Sequence, residues 1–454
     1  MHLGAWLVLV LLAIQCAGQP LGRPQGCGVE GASSPTLCDP GVQQYSGYID
    51  VAPDRHLFYW FFEARQPRRP KQQTPLILWL NGGPGCSSMS GLFGGVGPCT
   101  VDSSGNGTTI NENSWNINAN ILFLDQPANT GYSYGGRVTN TRDAASDVVT
   151  FLRRFYLQYP QYSLSQLHVT GESYAAHYVP AVAAQILSEN TNPWRRRLPL
   201  ASIAVGNGLF DMALQYQYLP QMACNSTYVS IANATTCDAM NAARVEFVRQ
   251  LGQTQPYRLP SAEAVANATL AGYDILSPYQ LAGGNPYDLR TKCGNGSLCD
   301  PYMDRIVAYA SQPHVRAELG VRKDHEYVLC NTDVQNAFIQ SGDEMVDSSA
   351  WIPQILAAGV RVLVYAGDAD LICGWVGNKA LVLRMRWPGS TGFAASPDWL
   401  WPNQQAAQGE ARSFGGLTFV RVFGAGHMVA KDQPAVARAM LSQWISYGQL
   451  LPPA

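Results

Sequence analysis

A serine lies between a short apolar stretch and a region with helical spacing, in LHVTGESYAAHYVP at residues 167–180. The order strand, sharp turn, helix is typical of a strained turn that presents a serine hydroxyl at the end of a sheet. Small residues flank such a serine because its backbone approaches neighbouring strands closely, and here Gly171 and Ala175 flank Ser173. The pattern alone fits a helix-capping serine equally well. Its chemistry therefore depends on partners elsewhere in the chain.

A serine hydroxyl becomes a nucleophile when a base accepts its proton and a third group orients that base. His427 follows a late apolar stretch, in FGAGHMVAKDQP, and is the candidate base. His177 is nearer in sequence, but it lies in the predicted helix that leaves the turn, and we interpret it as structural. The candidate acid follows the preceding apolar stretch, in VLVYAGDADLICGW, where both Asp368 and Asp370 qualify. Sequence spacing does not choose between them.

A glycine-rich stretch follows another apolar run, in LWLNGGPGCSSMSG at residues 78–91. Its position after a predicted strand matches the loop that donates backbone N–H groups to the oxyanion in acyl transfer. A phosphate-binding loop is excluded because no Gly-Lys-Ser or Gly-Lys-Thr follows the glycines. The sequence contains neither a nucleotide-binding loop nor a cluster with metal-ligand spacing, so we predict no cofactor and no metal.

Five segments carry a family resemblance, in the order WLNGGPGCSS, DQPANTGYSYG, GESYAAHYVP, VYAGDADLICGWVGN and GAGHMVAKDQP. Together they resemble the serine carboxypeptidases of the carboxypeptidase Y type, from about residue 40 to about residue 448. Several long motifs match at once, which makes chance an implausible explanation. The resemblance implies an α/β-hydrolase fold, with a mostly parallel sheet flanked by helices and an inserted cap. It also implies an enzyme that releases C-terminal residues from peptides.

The resemblance also implies a role for each matching residue. It makes Ser173 the nucleophile, Asp370 the acid and His427 the base. The backbone N–H groups of Gly83 and Tyr174 correspond to the oxyanion hole, and Tyr174 also borders the pocket for the penultimate side chain. The remaining matches bind the terminal carboxylate of the substrate, namely Trp79, Asn81, Gly82 and Glu172, or line the site, namely Cys373 and Met428.

Glu172 would meet a substrate carboxylate of the same charge. If Glu172 is protonated, it becomes a hydrogen-bond donor to that carboxylate. We therefore expect peptidase activity that is highest in acid and falls as Glu172 ionises.

The chain departs from this family at Gly95, where its relatives usually have a second glutamate that donates beside the first. One lost charge-assisted hydrogen bond costs on the order of 1.5–3 kcal/mol. We expect weaker carboxylate recognition that rests on Asn81 and Glu172, and a lower KM for peptides if glutamate is restored at position 95.

Ala176, where the family often has glycine, adds a tolerated methyl group. Asp300 stands where some relatives have an aromatic pocket residue, so side-chain preference is not carried over.

Two other functions remain open at this stage. The same triad could serve an acyltransferase, an esterase or a lyase, and the missing glutamate at position 95 favours this alternative. A non-catalytic binding protein could also retain the scaffold, since a fold does not determine a function. The intact triad residues argue against that third possibility.

The elements that must position these residues follow from hydrophobic periodicity. Short apolar strands alternate with helical stretches, which predicts a mostly parallel sheet covered on both faces. Residues 43–63 alternate and contain a Pro-Asp turn, so they are predicted to form a β-hairpin. Residues 211–315 interrupt the alternation and are interpreted as an inserted cap. This cap separates a first part of the core, residues 20–210, from a second part, residues 316–454.

Composition narrows the class of protein further. The chain has 454 residues, of which 46% are hydrophobic and 14% are charged. This balance favours a packed globule, and the length suffices for one large α/β domain with an insertion. A formal net charge of −2 gives no reason to expect nucleic acid or an anionic membrane as a partner. The expected partners are the C-termini of peptides or proteins, and the sequence does not predict an oligomeric state.

The chain begins with an apolar run followed by small residues, and we interpret residues 1–19 as a secretory signal peptide. No later stretch is predicted to anchor the protein in a membrane. Five N-x-S/T sequons predict glycosylation, at Asn106, Asn225, Asn233, Asn267 and Asn295. These features predict a secreted protein, with a vacuole or lysosome as the alternative destination.

The cysteine count agrees with export. Of eleven cysteines, Cys16 lies in the predicted signal peptide, and the even number that remains suggests disulfides. The family resemblance suggests the pairs Cys86–Cys330 and Cys293–Cys299 and a free thiol at Cys373. Further suggested pairs are Cys224–Cys237, within the cap, and Cys38–Cys99, which leaves Cys27 unpaired or, instead, bonded to Cys38.

Overall fold

The computed structural model describes residues 32–228, 231–253 and 262–450. The predicted signal peptide at residues 1–19 lies outside these residues, as do Cys16 and Cys27. Among the described residues, no helix is both long enough and apolar enough to cross a membrane.

A large sheet forms the centre of the molecule. The strands found in the described residues are β1 (Gln44–Ala52), β2 (Arg55–Phe62), β3 (Leu76–Leu80), β4 (Cys99–Val101), β5 (Thr108–Ile110), β6 (Asn120–Leu124), β7 (Tyr134–Gly135), β8 (Leu167–Glu172), β9 (Leu200–Gly206), β10 (Arg361–Gly367), β11 (Trp399–Trp401), β12 (Gly409–Phe414) and β13 (Leu417–Val422). Their order in the sheet is β1-β2-β6-β3-β8-β9-β10-β13-β12-β11, with β7 paired to β2. Strands β4 and β5 form a separate hairpin.

The strands from β6 to β13 along this order run parallel, and antiparallel strands complete both edges. The predicted hairpin at residues 43–63 is present as β1 and β2. Parallel neighbours require crossover connections, and helices supply them here. This architecture confirms the predicted α/β-hydrolase fold.

Helices of ten or more residues in the described part of the chain are α1 (Thr141–Gln158), α2 (Ala175–Glu189), α3 (Ala234–Gln253), α4 (Ala262–Asp274), α5 (Pro301–Ala310), α6 (Thr332–Ser341), α7 (Trp375–Arg384) and α8 (Pro434–Tyr447). Shorter α-helical segments are Met89–Gly91, Met212–Gln215, Leu219–Cys224, Ser277–Leu281, Pro313–Glu318, Ile352–Ala357, Ser390–Ala395 and Val429–Asp432. Within the described parts of residues 207–360, the chain adds helices but no strand to the large sheet. The bounds of the cap, residues 211–315, stay a prediction.

Alternation along the strands explains why both faces of the sheet are covered. In β3, Leu76, Leu78 and Leu80 belong to one core cluster, whereas Ile77 and Trp79 belong to the other. Successive strand residues point to opposite faces, so a wholly apolar strand needs a covering layer on each side. Helices α1 and α2 contribute to the first cluster, and α8 contributes to the second.

The carboxyl ends of four parallel strands carry the candidate site. Asn81 follows β3 directly, and Ser173 follows β8. Asp370 lies three residues after β10 ends at Gly367, and His427 lies five residues after β13 ends at Val422. Because parallel strands end at the same edge of a sheet, residues far apart in the chain meet there.

Disulfides join several of these regions. The structure contains Cys38–Cys99, Cys86–Cys330, Cys224–Cys237 and Cys293–Cys299, as suggested from the sequence. Cys86–Cys330 connects the glycine-rich loop to the segment that precedes α6. Cys373 is free and buried.

Leu78 provides a test of this packing, because its side chain is completely buried in the strand that leads to Asn81. Replacing Leu78 with alanine leaves a cavity, so we expect Leu78→Ala to lower the free energy of unfolding by about 2–5 kcal/mol. The matched control is Leu157→Ala, since Leu157 is 81% exposed. This substitution should change the free energy of unfolding by less than about 0.5 kcal/mol. Denaturant titration measures both variants. Equal effects of the two substitutions would contradict the described core.

Candidate active site

Ser173 occupies a strained turn between β8 and α2. Its φ angle is 68°, a left-handed conformation that residues with a side chain rarely adopt. Two backbone hydrogen bonds hold the turn: Ser173 N donates to Gly206 O at 3.0 Å, and Leu209 N donates to Ser173 O at 3.1 Å. The turn leaves the Ser173 side chain partly exposed, whereas its chain neighbours Glu172 and Tyr174 are buried. The structure therefore presents this hydroxyl as the sequence predicts.

The glycine-rich loop lies directly against this turn. A Cβ atom at Gly82 would lie only 2.3 Å from the backbone nitrogen of Tyr174, so the contact requires glycine. The backbone N–H groups of Gly83 and Tyr174 have no hydrogen-bond acceptor among the described residues. Both residues line the same cavity as Ser173. Two free N–H donors beside the hydroxyl can stabilise an oxyanion.

His427 and Asp370 form the next contact. The His427 Nδ1 atom lies 2.9 Å from Asp370 Oδ2, and the Asp370 carboxyl group is completely buried. Asp368 instead accepts hydrogen bonds from Tyr228 OH at 2.6 Å and from Gly424 N at 2.9 Å. Of the two aspartates that sequence spacing left open, Asp370, the one that the family resemblance implies, is therefore the one that contacts His427.

Burial and charge together determine the protonation of the histidine. Burial lowers the pKa of His427, but the charge and the hydrogen bond of Asp370, together with the charge of Glu172, outweigh this effect and raise its pKa. The polar side-chain atoms of Asp370, His427 and Cys373 lie within 4.8 Å of one another. Burial, followed by the charges of Asp370 and Glu172, raises the pKa of the Cys373 thiol well above its usual value. The thiol is therefore held in its neutral form.

Asn81 presents a hydrogen-bond donor to the cavity. Its Oδ1 atom accepts hydrogen bonds from Trp79 Nε1 at 2.6 Å and from Gly91 N at 3.1 Å. These two donors fix the amide orientation and leave its NH₂ group for a ligand. Trp79 itself is buried and does not line the cavity, so it acts on a ligand only through Asn81.

Glu172 lies beside Asn81 in the cavity wall, at the last position of β8. Burial raises its pKa to about 7, although the positive charge of His427 acts in the opposite direction. The negative charges of Asp370 and Asp432 raise it further. In acid, Glu172 therefore carries a proton that it can donate to a bound carboxylate.

The cavity that contains these groups has a volume of about 670 Å³. Cys373 and Met428 line it, as predicted, and so do the aromatic side chains of Tyr216, Tyr273 and Tyr287. A cleft of this size, lined by both apolar and polar side chains, has room for one or two amino-acid residues.

His177 lies away from this constellation. Its ring stacks on the ring of Tyr174, with centroids 4.3 Å apart and planes 2° from parallel. Burial lowers the pKa of His177 to about 4. This neutral, packed ring agrees with the structural interpretation.

Three residues near the site were missed by the sequence analysis. Asn207 donates from Nδ2 to Asp370 Oδ2 at 2.7 Å, Tyr287 O accepts from His427 N at 2.8 Å, and Asp343 accepts from Tyr174 OH at 2.7 Å. Asn207 had a detectable signal, because it stands between two glycines directly after β9. Asp343 and Tyr287 carry no comparable local pattern.

The structure argues against restoring a glutamate at position 95, which the sequence had suggested. Gly95 has a φ angle of 104°, and a Cβ atom there would lie 2.5 Å from the carbonyl oxygen of Ala430. A glutamate at position 95 would therefore strain this backbone. A lower KM does not follow simply from restoring the carboxyl group, because the strain would displace the surrounding residues. Asp300 lines the cavity wall and forms an ion pair with Lys431.

Comparison with known proteins agrees with this geometry. A family model described as serine carboxypeptidase matches residues 35–447. Carboxypeptidase Y from Candida albicans is 42% identical over 409 residues, which cover 89% of this chain and 73% of the relative. Carboxypeptidase Y homolog A from Trichophyton rubrum is 42% identical and covers 90% of this chain and 76% of its own length.

A solved structure shares the fold. The crystal structure of Kex1(delta)p, a prohormone-processing carboxypeptidase from Saccharomyces cerevisiae, superimposes with a TM-score of 0.80. The alignment has 23% sequence identity and covers 92% of this chain and 95% of the other. At this identity the comparison supports the fold, whereas the family rests on the sequence matches. The chain belongs to the serine carboxypeptidase family and is a hydrolase with the α/β-hydrolase fold.

Proposed function

We propose that this serine carboxypeptidase cleaves the last peptide bond of its substrates through Ser173, His427 and Asp370. The observation that carries the proposal is the strained turn that presents Ser173 in the cavity that His427 also lines. Asp370 engages Nδ1 of His427, which leaves Nε2 to accept the proton of the Ser173 hydroxyl.

The reaction then follows from the positions of these groups. Ser173 Oγ attacks the carbonyl carbon, and its proton moves to His427. The N–H groups of Gly83 and Tyr174 stabilise the oxyanion of the tetrahedral intermediate. His427 then protonates the departing amine, and the C-terminal amino acid leaves as the acyl-enzyme forms. Water, deprotonated by His427, attacks the acyl-enzyme and releases the shortened peptide.

Recognition of the substrate terminus is assigned to Asn81 and Glu172. The Asn81 amide donates to the terminal carboxylate, and Glu172 donates to it only while it is protonated. Since burial raises the pKa of Glu172 to about 7, this donor is present in acid and is lost as the pH rises through that value. We therefore propose an enzyme that works best under acidic conditions.

We also propose that the protein passes through the secretory pathway and is glycosylated. The asparagines of all five sequons are exposed, and four disulfides cross-link the described residues. Disulfides persist in oxidising compartments. Secretion is the proposed destination, residues 1–19 the proposed signal peptide and residues 211–315 the proposed cap.

The first test measures release of leucine from a blocked dipeptide such as N-acyl-Phe-Leu between pH 4 and pH 8. Wild-type protein should release leucine fastest in acid. Ser173→Ala removes the nucleophile and should lower kcat by at least about 10⁴-fold. Release by the alanine variant at a wild-type rate would refute the assignment of Ser173.

A second test addresses Glu172 by Glu172→Gln, which keeps an N–H donor but removes the titration. With a pKa of about 7, the protonated fraction of wild-type Glu172 drops roughly tenfold between pH 6 and pH 8, and kcat/KM should drop with it. The variant should lose much less activity over this interval. The control substrate is the C-terminal amide of the same dipeptide, for which the two enzymes should have parallel profiles. Parallel profiles on the free acid would rule Glu172 out as the titrating group.

A third test concerns Asn207, which donates to Asp370 at 2.7 Å. Loss of one hydrogen bond to a charged group costs about 1.5–3 kcal/mol, so Asn207→Ala should lower kcat by roughly 10- to 100-fold. KM should stay within about threefold of the wild-type value, because Asn207 positions the acid and does not bind substrate. A change confined to KM would contradict this role. The unfolding midpoint of the variant shows whether it remains folded.

A further inference from the structure

One wall of the active-site cavity carries a lysine. Lys431 lies four residues after His427, in the short helix Val429–Asp432, and lines the same cavity as Ser173 and Asn81. Its side chain is 35% exposed. The side chain is therefore partly exposed and is not enclosed by protein.

Both ends of this lysine adjoin the segment around Gly95. A Cβ atom at Gly95 would lie 3.0 Å from the backbone nitrogen of Lys431. At the other end, Lys431 Nζ lies 5.7 Å from the centre of the Tyr302 ring, and Tyr302 OH donates to Phe93 O at 2.8 Å. Gly95 thus contributes no side chain to this wall, whereas Lys431 lines it.

The ammonium is already oriented by an acidic partner. Lys431 Nζ forms an ion pair with Asp300, whose carboxylate also accepts a hydrogen bond from Tyr302 N at 2.9 Å at the start of α5. An ammonium has three N–H donors, so its pairing with Asp300 leaves donors for a second carboxylate. The ion pair thus positions Lys431 without using its full capacity.

The other charges around the cavity do not offer an equivalent cation. Asp288 and Asp432 are both paired with Arg290, which holds the loop after β13 by donating to Gly424 O. Lys292 is the other lysine that lines the described cavity. It lies beside the Cys293–Cys299 disulfide loop and, among the described residues, forms no hydrogen bond or ion pair with the segment around Gly95, so it serves as a matched control.

We propose that Lys431 binds the terminal carboxylate of the substrate, together with Asn81 and Glu172. The inference rests on the proposed function and names a further binding residue for it. Glu172 can donate to a carboxylate only when protonated, whereas an ammonium both donates hydrogen bonds and compensates the negative charge. Lys431 therefore makes the enzyme selective for a free C-terminus over an amidated one.

The test compares Lys431→Gln, Lys431→Arg and Lys292→Gln on a blocked dipeptide and on its C-terminal amide. We expect Lys431→Gln to raise KM for the free acid roughly tenfold, the low end for a charge-assisted hydrogen bond, because the ammonium is partly exposed. Its kcat on the free acid, and its kcat/KM on the amide, should change by less than about threefold. Lys431→Arg should retain most of the selectivity for the free acid, and Lys292→Gln should match the wild type.

Two results would overturn the inference. One is a loss of kcat/KM in Lys431→Gln that is equal for the free acid and the amide. The other is a rise in KM for the free acid that is no larger in Lys431→Gln than in Lys292→Gln. Calorimetric binding of the same free-acid dipeptide to the Ser173→Ala protein, with and without Lys431→Gln, keeps this test separate from catalysis. A roughly tenfold weaker Kd on adding Lys431→Gln supports the inference even if the proposed reaction fails, and an unchanged Kd overturns it even if the reaction proceeds.

Discussion

The left-handed backbone of Ser173 is the constraint on which the site depends. A non-glycine residue in this region costs on the order of 1–3 kcal/mol, and the surrounding structure must offset that cost. Here the turn is held on both sides, because Ser173 N donates to Gly206 O in β9 and Leu209 N donates to Ser173 O. The same turn leaves Tyr174 N without an acceptor among the described residues and brings it against Gly82. A single strained residue thus exposes the hydroxyl and places one of the proposed oxyanion donors.

The parallel sheet brings the residues of the proposed site together. Its strands deliver the proposed carboxylate-binding loop, nucleophile, acid and base to one edge, in the spatial order β3, β8, β10 and β13, with β9 between β8 and β10. Within this arrangement, the two buried acids have different neighbours. Asp370 contacts His427 and Asn207, whereas the Glu172 carboxyl group has no hydrogen-bond partner among the described residues, and burial raises the pKa of Glu172 to about 7.

Much of this arrangement was predictable from sequence because it depends on local patterns. The β1–β2 hairpin, the apolar parallel strands and the order of Ser173, acid and His427 all have such patterns. The choice of Asp370 over Asp368 came from the family resemblance and not from spacing, because both follow β10 closely and the loop geometry directs only one carboxylate to His427. Asp343 is 169 residues from Tyr174 in sequence, so its contact arises only from the tertiary fold. The conflict at Gly95 likewise depends on the Ala430 carbonyl, which sequence alone does not place.

The most direct measurement of the central claim is labelling with a serine-reactive phosphonate, followed by mass-spectrometric mapping of the modified peptide. If Ser173 is the nucleophile, each chain should carry one phosphonate, attached to Ser173, and release of C-terminal residues should fall in proportion to labelling. The free Cys373 thiol, neutral and buried beside His427, should remain unmodified. Continued release of C-terminal residues from fully labelled protein, or labelling at another residue with Ser173 intact, would contradict it.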